Sequence, residues 1–229
     1  MNFSDLAYPE LERRDGAVHL LPLGATEPHG PHAPLATDTL ISVGICRRAA
    51  ERLRGELDVL VLPPVPYGVT RYGADFPGAV SISEETLRAL VTEIAANFER
   101  VVLVNSHLEP EQVWTLRDLG LPLFDVTRRE RAERLTDEFR AGAGHAGRYE
   151  TSLVLADRPE LVNRGRMATL EAKMIDMPAA IRAGQTSFVA MGMDQAYAGA
   201  PAEATAEEGD QTFEALADML VELIREVVR

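Results

Sequence analysis

At 229 residues with 46% apolar content, the chain has the size of a single domain, residues 1–229, built around one substantial core. Its net charge of -13 and sequence pI near 4.9 oppose a nucleic-acid backbone or an anionic membrane as the main partner, because both would be repelled at long range. Cys46 is the only cysteine, which excludes an intrachain disulfide and a cysteine-based metal site.

Met1 to Arg14 carries charges throughout and lacks a signal-peptide core, and no apolar run reaches the ~20 residues that cross a bilayer. A soluble protein of the reducing cytoplasm is expected. Along the chain, short apolar runs alternate with longer helical patterns, which predicts an α/β domain around a mostly parallel sheet. Ala17 to Leu23 reads as a buried strand ending at Gly24. A helix is predicted from Thr39 to Leu53, with Thr37 and Asp38 in position to cap it. Val59 to Val65 reads as a second strand running into Pro66, Tyr67 and Gly68. Ser81 with Glu84 resembles a capping box, opening a helix whose apolar positions are Leu87, Leu90, Val91, Ile94 and Phe98. Val101 to Val104 reads as a strand buried on both faces. Leu121 to Val126 predicts another strand, Arg128 to Arg140 a charged helix and Ala198 to Gly209 a loop. Phe213, Leu216, Leu220, Leu223 and Val227 mark a final amphipathic helix.

The chemistry-bearing residues follow two of these strands. Glu27-Pro28-His29-Gly30-Pro31-His32 leaves the first, Asp38 comes shortly after, and His107-Leu108-Glu109 leaves the strand over 101–104. Glu, His and Asp are the oxygen and nitrogen donors of divalent metals. Residues two apart on an extended segment project to one side, so Glu27 with His29, and His107 with Glu109, can each reach a common point. Asp38, with two carboxylate oxygens, is suited to bridge two ions ~4 Å apart, the arrangement of two-metal hydrolases. Both pairs leave strand carboxyl ends, where open α/β sheets collect ligands.

The blocks Leu21-Pro22-Leu23-Gly24-Ala25-Thr26-Glu27-Pro28-His29-Gly30-Pro31-His32 with Asp38, Phe76-Pro77-Gly78, Asn105 to Glu109, and His145 with Glu150-Thr151-Ser152 together resemble the creatininase (creatinine amidohydrolase) family, in the family's order and over most of the chain. The resemblance implies a three-layer α/β/α sandwich and two divalent ions, zinc or manganese with iron as a further option. It also implies hydrolysis of a C–N bond in a small-molecule amide, cyclic amide or formamide, and a homo-oligomer, often a hexamer. Position by position, Glu27 and His107 resemble ligands of one metal, His29 and Glu109 ligands of the other, and Asp38 the bridging carboxylate. His145 resembles a family histidine that carries a proton to the leaving nitrogen, a role suited to imidazole. Glu150 matches a glutamate at or beside the metals, expected to orient His145 or the water or to act as general base.

Two cations lower the pKa of a shared water from ~15.7 toward ~7 and polarise the scissile carbonyl. A nitrogen leaving group then needs an acid, for which His145 is placed. Leu108, where creatininase itself presents a tyrosine, and Trp114 as the sole tryptophan argue against creatinine as substrate. Deformylation of a ribosylated pyrimidine phosphate and maturation of a small redox peptide are alternative uses of the same centre. A metal-stabilised, non-catalytic subunit is the alternative of another class. The pocket wall is expected around Leu108, Tyr72, Trp114 and Tyr149. His19 reads as structural, His32 as a group that donates a hydrogen bond to a ligand carboxylate or only stabilises the loop, and Arg128, Arg129, Arg131 and Arg134 as a solvated face or an anion clamp.

Overall fold

The computed structural model describes residues 1–229. Strands β1 (Val18–Leu23), β2 (Val59–Val61), β3 (Val101–Asn105) and β4 (Leu123–Phe124) form one fully parallel sheet in the order β2-β1-β3-β4. The longer helices are α1 (Thr37–Arg52), α2 (Glu84–Ala95), α3 (Pro110–Arg117), α4 (Arg148–Asp157) and α5 (Ala206–Val227).

Side-chain alternation along the strands sorts these helices into two outer layers. Val18 and Leu20 of β1, with Val102 and Val104 of β3, pack on Ile41 and Ile45 of α1, Leu153 of α4, and Phe213, Leu216 and Leu220 of α5. On the other face, Leu21, Leu23, Val101 and Leu103 meet Leu87 and Val91 of α2 and Leu116 of α3. The result is the expected three-layer α/β/α sandwich, with each fully buried aliphatic side chain contributing roughly 1.5–3 kcal/mol. His19 takes its place on this second face, against the rings of Phe3 and Phe98 at centroid distances of 5.9 and 4.2 Å, as a structural residue.

From β1 the chain crosses by α1 to β2 on one side, then returns by α2 to β3 on the other side of β1. This reversal opens a crevice at the carboxyl ends of β1 and β3, the place where such sheets bind ligands. The register sets Leu23 beside Asn105, so the segments that follow leave the sheet side by side.

Several boundaries differ from the sequence reading. β2 stops at Val61, because Pro63 and Pro64 cannot donate to a ladder, and only a single bridge from Val65 to Leu23 continues the pairing. Ser83, not Ser81, caps α2 by accepting from the Thr86 amide at 3.1 Å, while Ser81 accepts from the Thr70 amide instead. The charged stretch breaks into short helices at Arg129–Ala132 and Asp137–Arg140, with Leu135 buried between them and Thr136 capping the second. The expected loop over 198–209 already contains the start of α5, capped by Thr205.

Candidate metal centre

Glu27, His29, Asp38, His107 and Glu150 are all buried, and they meet at the crevice between β1 and β3. Asp38 lies in the first turn of α1, where Ala36 holds the capping position, so its carboxylate is not spent on the helix end. It reaches both histidines, with His29 Nε2 3.1 Å from Oδ1 and His107 Nδ1 3.0 Å from Oδ2.

Both rings are held the same way. His29 Nδ1 donates to the carbonyl of Glu27 at 3.1 Å and His107 Nε2 donates to the carbonyl of Val69 at 2.8 Å. A carbonyl only accepts, so these bonds fix the tautomers and leave His29 Nε2 and His107 Nδ1 as the lone-pair nitrogens. Each lone pair is aimed at carboxylate oxygens. Around His29 Nε2 stand Asp38, Glu150 at 3.4 Å and Glu27 at 3.8 Å; around His107 Nδ1 stand Asp38 and Glu27 at 3.2 Å. Lone pairs facing lone pairs in a buried site call for positive charge between them, a proton on each ring or a metal ion in its place.

The electrostatics say the same. Burial disfavours the imidazolium of His29, yet Asp38, Glu150 and Glu27 outweigh it and raise the ring to about 10. Burial likewise opposes the charge on His107, but Glu27 and Asp38 lift it well above the ordinary histidine range. Glu150 is pushed up to about 8 by burial, against the pull of His29. So dense a cluster of acids draws positive charge to the spot. Its donor atoms form two overlapping groups, Glu27–Asp38–His107 and His29–Asp38–Glu150, each with ligand atoms within 4.8 Å of one another, and Asp38 belongs to both. Buried oxygen and imidazole donors with one shared carboxylate fit divalent ions.

Glu109 stands elsewhere. Both of its oxygens accept from the backbone amide of Arg71, at 2.8 and 2.9 Å, one also accepts from Tyr72, and the carboxylate comes no closer than 4.0 Å to His107. Burial raises it to about 7. The structure thus brings Glu150, expected beside the metals, among the converging donors and leaves Glu109, expected as a ligand, on the cavity wall. Spacing could not separate them, because Glu150 enters from α4, more than a hundred residues beyond Asp38.

His145 faces the same cluster. Its Nε2 donates to the carbonyl of Pro28 at 3.0 Å, its Nδ1 lies 3.7 Å from Glu27, and the ring stacks between His29 and Phe188. Burial and His29 lower it to about 4. With Glu27 and His29 it forms a third close group of donors. His32 sits apart, 2.8 Å from the Thr151 hydroxyl, and supports the loop rather than joining the donors.

The supports on the strand side were not visible in the sequence. Gln112 accepts from the Val69 amide at 2.9 Å and donates to Asn105 Oδ1 at 2.8 Å, while Asn105 donates to the His107 carbonyl at 2.5 Å. Thr70 donates to Glu27 at 2.5 Å.

A cavity of about 460 Å³ opens over the cluster, lined by Leu108, Tyr72, Phe139, Met177, Ile181 and Phe188 among others. Of the expected wall, Leu108 and Tyr72 are present. Trp114 is 56% exposed on the outside of α3, and Tyr149 is buried against Phe139 in the core. The arginines at 128, 129, 131 and 134 do not line it; Arg129 pairs with Glu133 and Arg134 with Glu222.

A carboxylate and imidazole cage at the switch point of a parallel sheet defines a metal-dependent hydrolase. A sequence model of the family described as creatinine amidohydrolase matches residues 4–224. The mycofactocin precursor peptide peptidase of Mycobacterium ulcerans (strain Agy99) is 34% identical over 221 residues, 90% of this chain and 83% of that protein. The creatinine amidohydrolase of Pseudomonas putida is 32% identical over 196 residues, covering 71% of this chain and 74% of the relative. Among solved structures, a zinc–zinc form of a mutant creatininase superposes with a TM-score of 0.72 at 26% identity, over 98% of this chain and 96% of the other. A manganese creatininase gives 0.69 at 26%, over 98% and 97%. The chain belongs to the creatininase family of amidohydrolases, enzymes that act on C–N bonds.

Proposed function

We propose that this chain is a binuclear hydrolase, with Glu27, Asp38 and His107 holding one divalent ion and His29, Asp38 and Glu150 the other. The observation that supports this most is the pair of lone-pair nitrogens on His29 and His107, each turned by a backbone carbonyl onto the shared carboxylate of Asp38. Zinc and manganese, carried by the matching creatininase structures, suit these donors. When bound, such ions supply a nucleophilic water at neutral pH and polarise a carbonyl.

The chain's own groups handle the protons. Glu109 lies outside the two ligand groups, faces the cavity and is fixed by the Arg71 and Tyr72 amides, so its carboxylate is free to take a proton from the attacking water. His145 keeps Nε2 on the Pro28 carbonyl and presents Nδ1 toward the cluster, which suits it to pass a proton to the leaving nitrogen. Phe188 and Leu108 give the cavity an apolar wall beside these groups.

The substrate is an amide carried on a body larger than a single small ring, such as a short peptide segment. A cavity of about 460 Å³ lies in the ~300–1,000 Å³ range that encloses ligands of that size, and the 34% identical relative is named as a peptidase. The assembly is a homo-oligomer that would cover exposed Trp114 and Tyr67, in a cytoplasmic setting that keeps Cys46 reduced.

The test is metal content together with turnover of a panel of creatinine, other lactams, cyclic ureides, formamides and short peptides. Two metals per chain with peptide or acyl-amide cleavage support the reading. Metal-loaded protein active only on creatinine would replace the substrate, and protein that holds two metals without cleaving any amide would make the chain a non-catalytic subunit.

A further inference from the structure

Glu138 is the deepest carboxylate outside the metal cluster, 3% exposed on the short helix Asp137–Arg140. A buried carboxylate requires partners, and no salt bridge supplies them, since Arg148 directs its guanidinium to Glu203 at 3.3 Å and Glu208 at 3.2 Å. Its hydrogen bonds come instead from backbone amides of two separate segments, with the charge and amide of nearby Arg148 adding to their pull. One oxygen accepts from Tyr149 at 2.8 Å, in the first turn of α4, and the other accepts from Ala200 at 2.6 Å.

Both segments lead into the metal centre. Tyr149 precedes Glu150, and the Ala146 amide in turn donates to Glu150 at 2.7 Å. Ala198, two residues before Ala200, donates to the carbonyl of His145 at 2.8 Å. The carboxylate is seated between Gly147 and Gly199, where a Cβ on either would collide with it, so two glycines make the room it occupies.

We propose that Glu138 is a positioning residue for the His29–Asp38–Glu150 half of the centre. It fastens the segment that carries His145 and, in the first turn of α4, Glu150 to the loop over 198–200, and does not touch the donors themselves. On the strand side Gln112 fastens His107 in the same fashion, so each half has its own support. This inference rests on the binuclear reading above.

Glu138→Gln tests it, because glutamine keeps the size and one acceptor but sets an NH₂ against a backbone N–H. The readout is zinc binding by competition with a chromophoric chelator, with the unfolding transition followed in parallel. Glu138→Gln should keep a cooperative transition, weaken one of the two zinc ions by about 10–100-fold and leave the other at its parental affinity. Gly199→Ala, which presses on the same carboxylate from the opposite loop and also strains the loop itself at a φ of +122° against the Ala143 carbonyl, should weaken the same zinc. It carries the test if Glu138→Gln does not fold.

Parental affinity for both ions in folded Glu138→Gln, or an equal loss of both, would overturn the inference while leaving the binuclear reading intact. A parent chain that binds only one zinc contradicts the binuclear reading instead; the role of Glu138 then stands if its variant loses that zinc together with Glu150→Gln, and falls if the zinc is kept.

Discussion

The two halves of the proposed metal centre are built from different materials. Glu27 and His107 follow directly on β1 and β3, neighbouring strands in register, and a network of Asn105, Gln112 and Thr70 holds them. His29 is carried by a loop, and its partner Glu150 comes from α4, held by loop amides and a distant carboxylate. Strand-borne ligands inherit the rigidity of the sheet. Donors borne by a loop or a helix terminus depend on contacts distant in sequence, so that half is where a single substitution should loosen the site.

Asp38 belongs to both halves, and its replacement should have the largest effect. Asp38→Asn removes the shared charge and sets an NH₂ toward one histidine; activity should fall below detection, and metal analysis should show that neither ion is retained. Retention of both ions would show that the halves do not share this ligand.

His145→Ala should lower kcat by about 10²–10⁴-fold, as expected for loss of a proton carrier, while leaving metal content unchanged. Unchanged kcat would remove His145 from the reaction, and loss of an ion would make it a ligand, as its closeness to Glu27 and His29 permits.

Gln112→Ala strikes the strand-borne half. It strips the buried Val69 amide of its acceptor, which should cost about 1–3 kcal/mol of stability and weaken the ion on His107 by about 10–100-fold. Denaturant unfolding and zinc competition read the two effects, and an equal loss at the His29 ion would mean that the two supports are not independent.

The smallest effect is expected at Arg129, whose exposed side chain pairs only with Glu133 four residues on. Arg129→Ala should leave both kinetics and thermal midpoint where they were. A raised KM for an anionic substrate would restore the arginine clamp that the structure does not show.

This division between the halves also explains what could be read in the sequence. The strands read over 17–23 and 101–104, the placement of Glu27, His29 and His107 beyond their ends, and the nearness of Asp38 to both histidines were legible, because continuous apolar runs and i, i+2 spacing are local properties. That Glu150 and not Glu109 stands among the converging donors was not legible, since it depends on where α4 docks and on the Arg71 and Tyr72 amides that hold Glu109. Glu138, Gln112 and the outward turn of Trp114 were hidden for the same reason: their partners lie far away in the chain or outside any motif.

The most direct test is the metal count of two variants side by side. Glu150→Gln should hold a single ion, retained by Glu27, Asp38 and His107, whereas Glu109→Gln should hold two and lose turnover. The opposite outcome, two ions in Glu150→Gln and one in Glu109→Gln, would contradict this arrangement of the centre.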